Sequence, residues 1–261
     1  MIELLPIKGR FFQNYCEINR KNSEYINAVD KTVNTMSQED CHRLLLIGKV
    51  QSGKTSHFIG LSLRMFDSGY QTGIIFSGTK INLHNQTIER FKREYEGINI
   101  NIISDNDKTI EKKIRNNNFN IIICLKHPTR INKLCQYSKY FGKVFIVDDE
   151  SDQASLNALN KENIIKNSVK FSATHNAIQN LIVLNSPKYY QITATPAGHL
   201  LTGLMDYFKP NYLLALKSHQ NYFGNKELFD NKKSIIKWID DDPKNPSRSY
   251  LTQFLLQLTT N

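Results

Sequence analysis

Residues 44–55 read LLLIGKVQSGKT, and this stretch decides the fold. Residues 44–47 are a short continuous apolar run, the kind that forms a strand buried on both faces. Residues 48–55 (GKVQSGKT) follow at once and satisfy the pattern G-x-x-x-x-G-K-[ST]. A helical stretch then runs to about Ser68. Strand, glycine turn and helix stand in the order that phosphate binding requires. The glycines let the backbone curl so that its N–H groups face an anion, and the start of the following helix adds a favourable field. On this reading Gly48, Gln51, Ser52, Gly53, Lys54, Thr55 and Ser56 are the candidate nucleotide contacts. Lys54 would reach the β- and γ-phosphates of ATP, and the Thr55 hydroxyl would bind Mg²⁺.

Outward from that stretch the chain alternates between strand and helix patterns. Apolar runs at residues 74–76, 98–103, 121–124, 144–147 and 189–193 read as strands. Residues 23–36, 82–96 and 173–184 read as helices, the second with Leu83, Ile88, Phe91 and Tyr95 towards one face. A charged helix separates the strands at 98–103 and 121–124, and Pro128 can open a helix at its first turn. Such alternation predicts an α/β domain, a mostly parallel sheet with helices on both faces. Ligands of such sheets bind at the carboxyl ends of the strands. After Thr195-Pro196 the pattern loses regularity, and residues 240–247 read as a loop or linker before a final helix-like segment.

Three further segments fall at predicted strand ends. Residues 144–152 (VFIVDDESD) carry an apolar strand directly into acid, the expected partner of a phosphate loop. Asp149 would hold Mg²⁺ through its water shell, and Glu150 would orient and polarise an attacking water. Asp148 has no assignable role. Residues 192–196 (ITATP) offer hydroxyls that can bond to the acidic cluster and report the state of the nucleotide. Residues 77–79 (SGT), continuing to Gln86, Thr87 and Arg90, offer short donors suited to nucleic-acid backbone contacts, which position a strand without reading bases. An ordinary N-cap and amphipathic helix would produce the same segment.

The order GKT, SGT with QT, DESD and TAT resembles the first RecA-like domain of superfamily II helicases. The stretches GKVQSGKTSHFIGLSLRMFDSGY, IIFSGTKINLHNQTIERF, VDDESDQASLN and YYQITATPAGHLL more closely resemble the Z-one domain proteins, a helicase-like and endonuclease-related family of bacterial restriction and phage-defence loci. YFKPNYLLALKSHQNYFGNKELF resembles that family's region after its third motif, so the resemblance covers most of residues 41–229. It implies a RecA-like P-loop ATPase that binds ATP and Mg²⁺. Lys54, Thr55, Asp149 and Glu150 would form its ATPase site. Asp152 and Thr193, with Thr195, would link hydrolysis to movement, while Thr79, Gln86, Thr87 and Arg90 would face DNA. Gln13 with Phe11 or Phe12 would be the place to seek an adenine contact. A motor of this kind also needs a second RecA-like domain that supplies arginines across the cleft. The residues after Thr195 contain a single arginine, Arg248. The chain is therefore expected to bind nucleotide, to hydrolyse it slowly alone, and to await a second domain or partner subunit. A nucleotide-gated assembly subunit and a nuclease subunit are the alternatives, although no D…E-x-K cluster is evident.

Composition sets the remaining bounds. The chain has 261 residues, 40% of them hydrophobic and 22% charged, which suits a globular fold and argues against disorder. No apolar run reaches the roughly 18 residues of a membrane span. The N-terminus has neither the apolar core nor the cleavage site of a secretory signal. Cys16, Cys41, Cys124 and Cys135 form no C-x-x-C pair, which fits a reducing cytoplasm, and Cys124 reads as core. Thirty-four Lys and Arg against 24 Asp and Glu give a net charge of +10. A coding bias towards lysine or a polyanionic partner explains it equally well. The organisation expected is an N-terminal helical extension (1–40), a RecA-like ATPase domain (41–205) and a C-terminal segment (206–261).

Overall fold

The computed structural model describes residues 10–49, 53–156, 171–200 and 207–216. Two helices lead, α1 (Arg10–Ile18) and α2 (Ser23–Met36). The chain then alternates through β1 (Arg43–Ile47), α3 (Lys54–Asp67), β2 (Thr72–Phe76), α4 (Ile81–Glu94), β3 (Asn101–Ser104), α5 (Ile110–Asn116), β4 (Asn120–Cys124) and α6 (Pro128–Cys135). A 3₁₀ turn (Ser138–Tyr140), β5 (Val144–Asp149), α7 (Ala173–Asn185), β6 (Lys188–Thr193), α8 (Ala197–Leu200) and β7 (Tyr212–Ala215) follow.

The seven strands form one sheet in the order β3-β4-β2-β5-β6-β1-β7, and every pairing is parallel. Alternation along each strand divides the core. Leu44, Leu46, Ile75, Phe145, Val147 and Ile192 face the layer that contains α1 to α4. Ile74, Phe76, Ile122, Ile146 and Tyr189 face the layer of α5, α6 and α7. Both faces are dry, so the strands read as unbroken apolar runs rather than as alternating ones. Close packing of β2 explains Gly73, where a Cβ would overlap the Phe145 ring and lie 2.7 Å from Ile121 Cδ1. Local signals set the helix starts. Asn22 Oδ1 accepts from Tyr25 N at 2.9 Å, Ser172 Oγ accepts from His175 N at 3.3 Å, and Pro128 opens α6.

The predicted elements are present, with three differences. The strand expected at 98–103 is β3, shifted to 101–104, because residues 98–100 form a tight turn (Ile100 N to Ile98 O, 2.7 Å). On α4 the inward row is His84, Ile88, Phe91 and Tyr95, while Leu83 is 39% exposed. A buried polar partner for His84 turns the helix by one residue relative to its apolar pattern. Neither α1 nor β7 stood out in the sequence. The start of α1 is held by Asp67, whose two oxygens accept from Phe11 N and Phe12 N at 2.8 and 2.9 Å. The edge strand β7 pairs with β1 and has alternating exposure, so it lacks the unbroken apolar signature of its neighbours. The expected organisation beyond residue 216 lies outside the described residues.

Candidate nucleotide site

All strands being parallel, their carboxyl ends share one rim, and the singled-out segments gather there. β6 lies between β1 and β5, with Ile47 opposite Thr193 on one side and Asp149 opposite Ile192 on the other. Gly48 and Asp149 therefore begin about two strand spacings apart, roughly 10 Å. Gly48 N donates to Thr193 O at 3.0 Å, which fixes where the loop leaves the sheet. Gly53 takes φ +87°, a left-handed conformation that glycine adopts at no steric cost, and it starts α3. Lys54 is half-buried, and its ammonium donates to the carbonyls of Gly48 (3.3 Å) and Lys49 (2.9 Å), folded back over its own loop. Thr55 is half-buried on the first turn of α3. Ser56 is tied to the N-terminal helices, its hydroxyl 3.3 Å from Lys21 Nζ and its carbonyl accepting from Tyr25 OH at 2.7 Å. Gln51 and Ser52 lie outside the described residues.

Across the gap, Asp149 ends β5 and Glu150 follows in the left-handed conformation (φ 52°). Burial pushes the Asp149 carboxyl up to about 6. Lys126 opposes the rise, the neighbouring Glu150 charge adds to it, and Lys54 lowers it, which brings the loop lysine within electrostatic reach of the acid. Asp149 and Thr55 offer oxygen donors, the ligand type Mg²⁺ prefers. Among the described residues no group of three or more His, Cys, Asp or Glu could hold a metal by itself. Mg²⁺ needs none where phosphates and waters complete its shell. Asp148, which had no assignable role, is a buried structural acid. Its Oδ1 lies 2.7 Å from Lys126 Nζ, and its Oδ2 accepts from Tyr189 OH at 2.5 Å.

The expected acid–hydroxyl contact is formed. Asp152 accepts from Thr193 Oγ1 at 2.7 Å and from Thr195 Oγ1 at 2.6 Å. Burial disfavours its ionised form, but the Thr195 and Thr193 hydroxyls outweigh that cost and hold its pKa below the usual range. Ser151 clamps the same junction, its N and Oγ both donating to Ile192 O, at 3.0 and 3.2 Å. Of the candidate nucleic-acid residues, Thr79 follows β2 at the rim, and Gln86, Thr87 and Arg90 lie along α4. Thr79 and Gln86 are exposed, Thr87 donates to Leu83 O at 2.9 Å, and Arg90 is half-buried. Phe12 packs in the core cluster, and Phe11 stands edge-on to Phe119. Phe12 and exposed Gln13 line an open cleft of about 420 Å³ with Lys21 and Arg64, a cleft that does not include Lys54 or Asp149.

Sequence reasoning missed a second polar system on the rim. Ser77 Oγ is 2.8 Å from His84 Nδ1, and His84 Nε2 is 3.5 Å from Asp105, which Arg130 contacts at 3.0 Å. Burial lowers the His84 pKa, Asp105 acts against that and Arg130 with it. Ser77 is 5% exposed, so this row joins β2, α4, β3 and α6 rather than presenting a nucleophile. Lys126, also unforeseen, stands two residues beyond the end of β4. The rule that directed attention to polar residues at strand ends would have found it.

No family model matches the chain, and no curated protein matches it. Solved structures do. The DUF1998 helicase MrfA aligns with a TM-score of 0.52 and 16% identity over 82% of this chain and 33% of its own. Its complex with DNA and AMPPNP aligns with a TM-score of 0.52 and 13% identity over 80% of this chain and 29% of that one. A nuclease-deletion mutant of the Type ISP restriction-modification enzyme LlaGI, with a DNA substrate mimic, aligns at 0.49 and 17% identity over 84% and 21%. The chain thus spans a third or less of the length of these structures. The likeness to MrfA is one of fold: the all-parallel seven-stranded sheet with helices on both faces is a RecA-like α/β arrangement.

Proposed function

We propose that this chain is the ATP-binding and hydrolysing module of a superfamily II helicase-like, nucleic-acid-dependent ATPase of the Z-one type, acting in bacterial restriction or phage defence. One observation carries the reading. The GKT loop after β1 and the Asp149–Glu150 pair at the end of β5 flank β6 at the same rim, with Asp152 bonded to both Thr193 and Thr195. In this reading Lys54 and the loop amides would hold the β- and γ-phosphates, while Thr55 and Asp149 would hold Mg²⁺, which would supply charge neutralisation at the phosphoryl oxygens. Glu150 orients and polarises the attacking water. The hydroxyls of Thr193 and Thr195 pass a change at the γ-phosphate to β6 through Asp152. Thr79, Gln86, Thr87 and Arg90 lie along a DNA strand. A second RecA-like domain or partner subunit contributes arginines, an addition worth about 10³–10⁵ in rate.

The test is ATP hydrolysis with and without single-stranded DNA, together with binding of Mg²⁺–ATP by calorimetry. Loss of a charge-assisted contact is worth about 1.5–3 kcal/mol, so Lys54→Ala should weaken nucleotide binding roughly 10- to 150-fold. Glu150→Gln should keep binding and lose turnover by about 10²–10⁴. Unchanged binding and turnover in Lys54→Ala would remove the proposed site. Tight binding without turnover, even with DNA and a partner, would select a nucleotide-gated assembly subunit.

A further inference from the structure

The Lys126 side chain is sealed from solvent, and its ammonium meets three oxygens. Nζ lies 2.7 Å from Asp148 Oδ1, and it donates to Glu150 O at 2.7 Å and to Gln153 O at 3.3 Å. Neutralising Asp148 needs only the first of these. The other two grip the main chain of the acidic loop on either side of Ser151 and Asp152. One of them is the carbonyl of Glu150, whose backbone is left-handed. The backbone of Lys126 faces the other way, and its N–H donates to Gly78 O at 2.8 Å. Ser77 N and Ser77 Oγ reach the same strand end through Cys124 O, at 3.0 and 3.3 Å. Gly78 itself lies against the acid, since a Cβ built there would stand 3.4 Å from Glu150 Oε2. One residue, on the segment between β4 and α6, therefore connects the loop after β2 to the acidic loop after β5. Buried polar links of this kind tie the two loops to one another, so displacement at one end bears on the other.

We propose that Lys126 is a positioning residue that couples single-stranded DNA on the loop at residues 77–79 to Mg²⁺–nucleotide at the Lys54–Asp149–Glu150 site. The proposal rests on the functional reading above. Movement of Gly78 towards or away from a bound strand shifts Lys126 N, and Nζ then carries that shift into the Glu150 and Gln153 carbonyls. Ligands at the two loops thus alter each other's affinity by one and the same factor.

The experiment is equilibrium titration of the full chain with Mg²⁺–AMPPNP, with and without a saturating oligothymidylate, which requires no turnover. The wild type should bind nucleotide at least about fivefold more tightly, or more weakly, when DNA is present. The double variant Lys126→Met/Asp148→Asn removes both buried charges together and keeps an acceptor for Tyr189. It should bind each ligand alone within about twofold of wild type, while the coupling factor falls to about one. Lys126→Arg keeps the charge but replaces the compact three-proton head with a planar fork, and it should lower the coupling at least threefold. Coupling retained in either variant overturns the proposal, as does a wild type that binds both ligands with no coupling. A wild type that binds no Mg²⁺–AMPPNP instead brings down the functional reading, and the coupling with it.

Discussion

Lys126 and Asp148 exchange a large desolvation cost for a close ion pair, and such a pair behaves asymmetrically when broken. Lys126→Met alone leaves Asp148 charged, buried and held only by Tyr189. It should cost about 3–5 kcal/mol in denaturant unfolding, whereas the double variant with Asp148→Asn should recover most of that loss. His57 makes the pH prediction. It is 6% exposed, its Nε2 lies 3.0 Å from Thr32 Oγ1, and burial lowers its pKa to about 4. The unfolded chain therefore binds more protons than the folded one between about pH 4 and 6.5. The stability that His57 contributes is complete above about pH 6.5 and is lost as pH falls towards 4. From pH 8 to pH 5, unfolding free energy should drop more in the wild type than in His57→Leu, by roughly 2 kcal/mol. Equal slopes for the two proteins would contradict the assignment.

At the scale of elements, α2 and α3 meet through a glycine. A Cβ on Gly60 would overlap the Tyr25 hydroxyl and stand 3.1 Å from Phe12 Cε2. Gly60→Val should thus push α1 and α2 off α3 and cost about 1–3 kcal/mol, read as a lower midpoint in thermal unfolding. It should also weaken nucleotide binding, because Tyr25 and Lys21 are the groups that hold Ser56 beside the loop. The buried strands were legible because both faces of a parallel sheet demand apolar residues, and β1, β2, β4 and β5 obey. Half-exposed β7 and the bounds of α1 within the expected helical extension were not legible. One exists through its edge pairing with β1, the other through Asp67 and the packing of Phe12 and Tyr15, partners distant in sequence.

For the molecule as a whole, ligand linkage gives a test that is independent of turnover. If Mg²⁺–nucleotide binds only the folded state, a concentration 100 times the dissociation constant should raise unfolding free energy by about 2.7 kcal/mol. Lys54→Ala, measured at the same nucleotide concentration, should lose most of that gain. A wild-type midpoint that ignores Mg²⁺–ATP while the protein remains folded would contradict the placement of the site. No helix among the described residues is long and apolar enough to cross a membrane. The sheet supplies the frame for all of this, since parallel strands deliver Gly48, Ser77, Lys126, Asp149 and Thr193 to one rim.

The sequence by itself determined the α/β alternation and the position of the GKT loop, of the acids and of the Thr193–Thr195 hydroxyls. Each is written in local pattern, an apolar strand followed directly by a particular polar residue. Only the tertiary structure decided which strands are neighbours. It set β6 between the loop and the acids, turned His84 inwards, and gave Asp148 its Lys126. Those outcomes depend on side chains meeting across the sheet, and a buried charge becomes tolerable only where folding brings its partner.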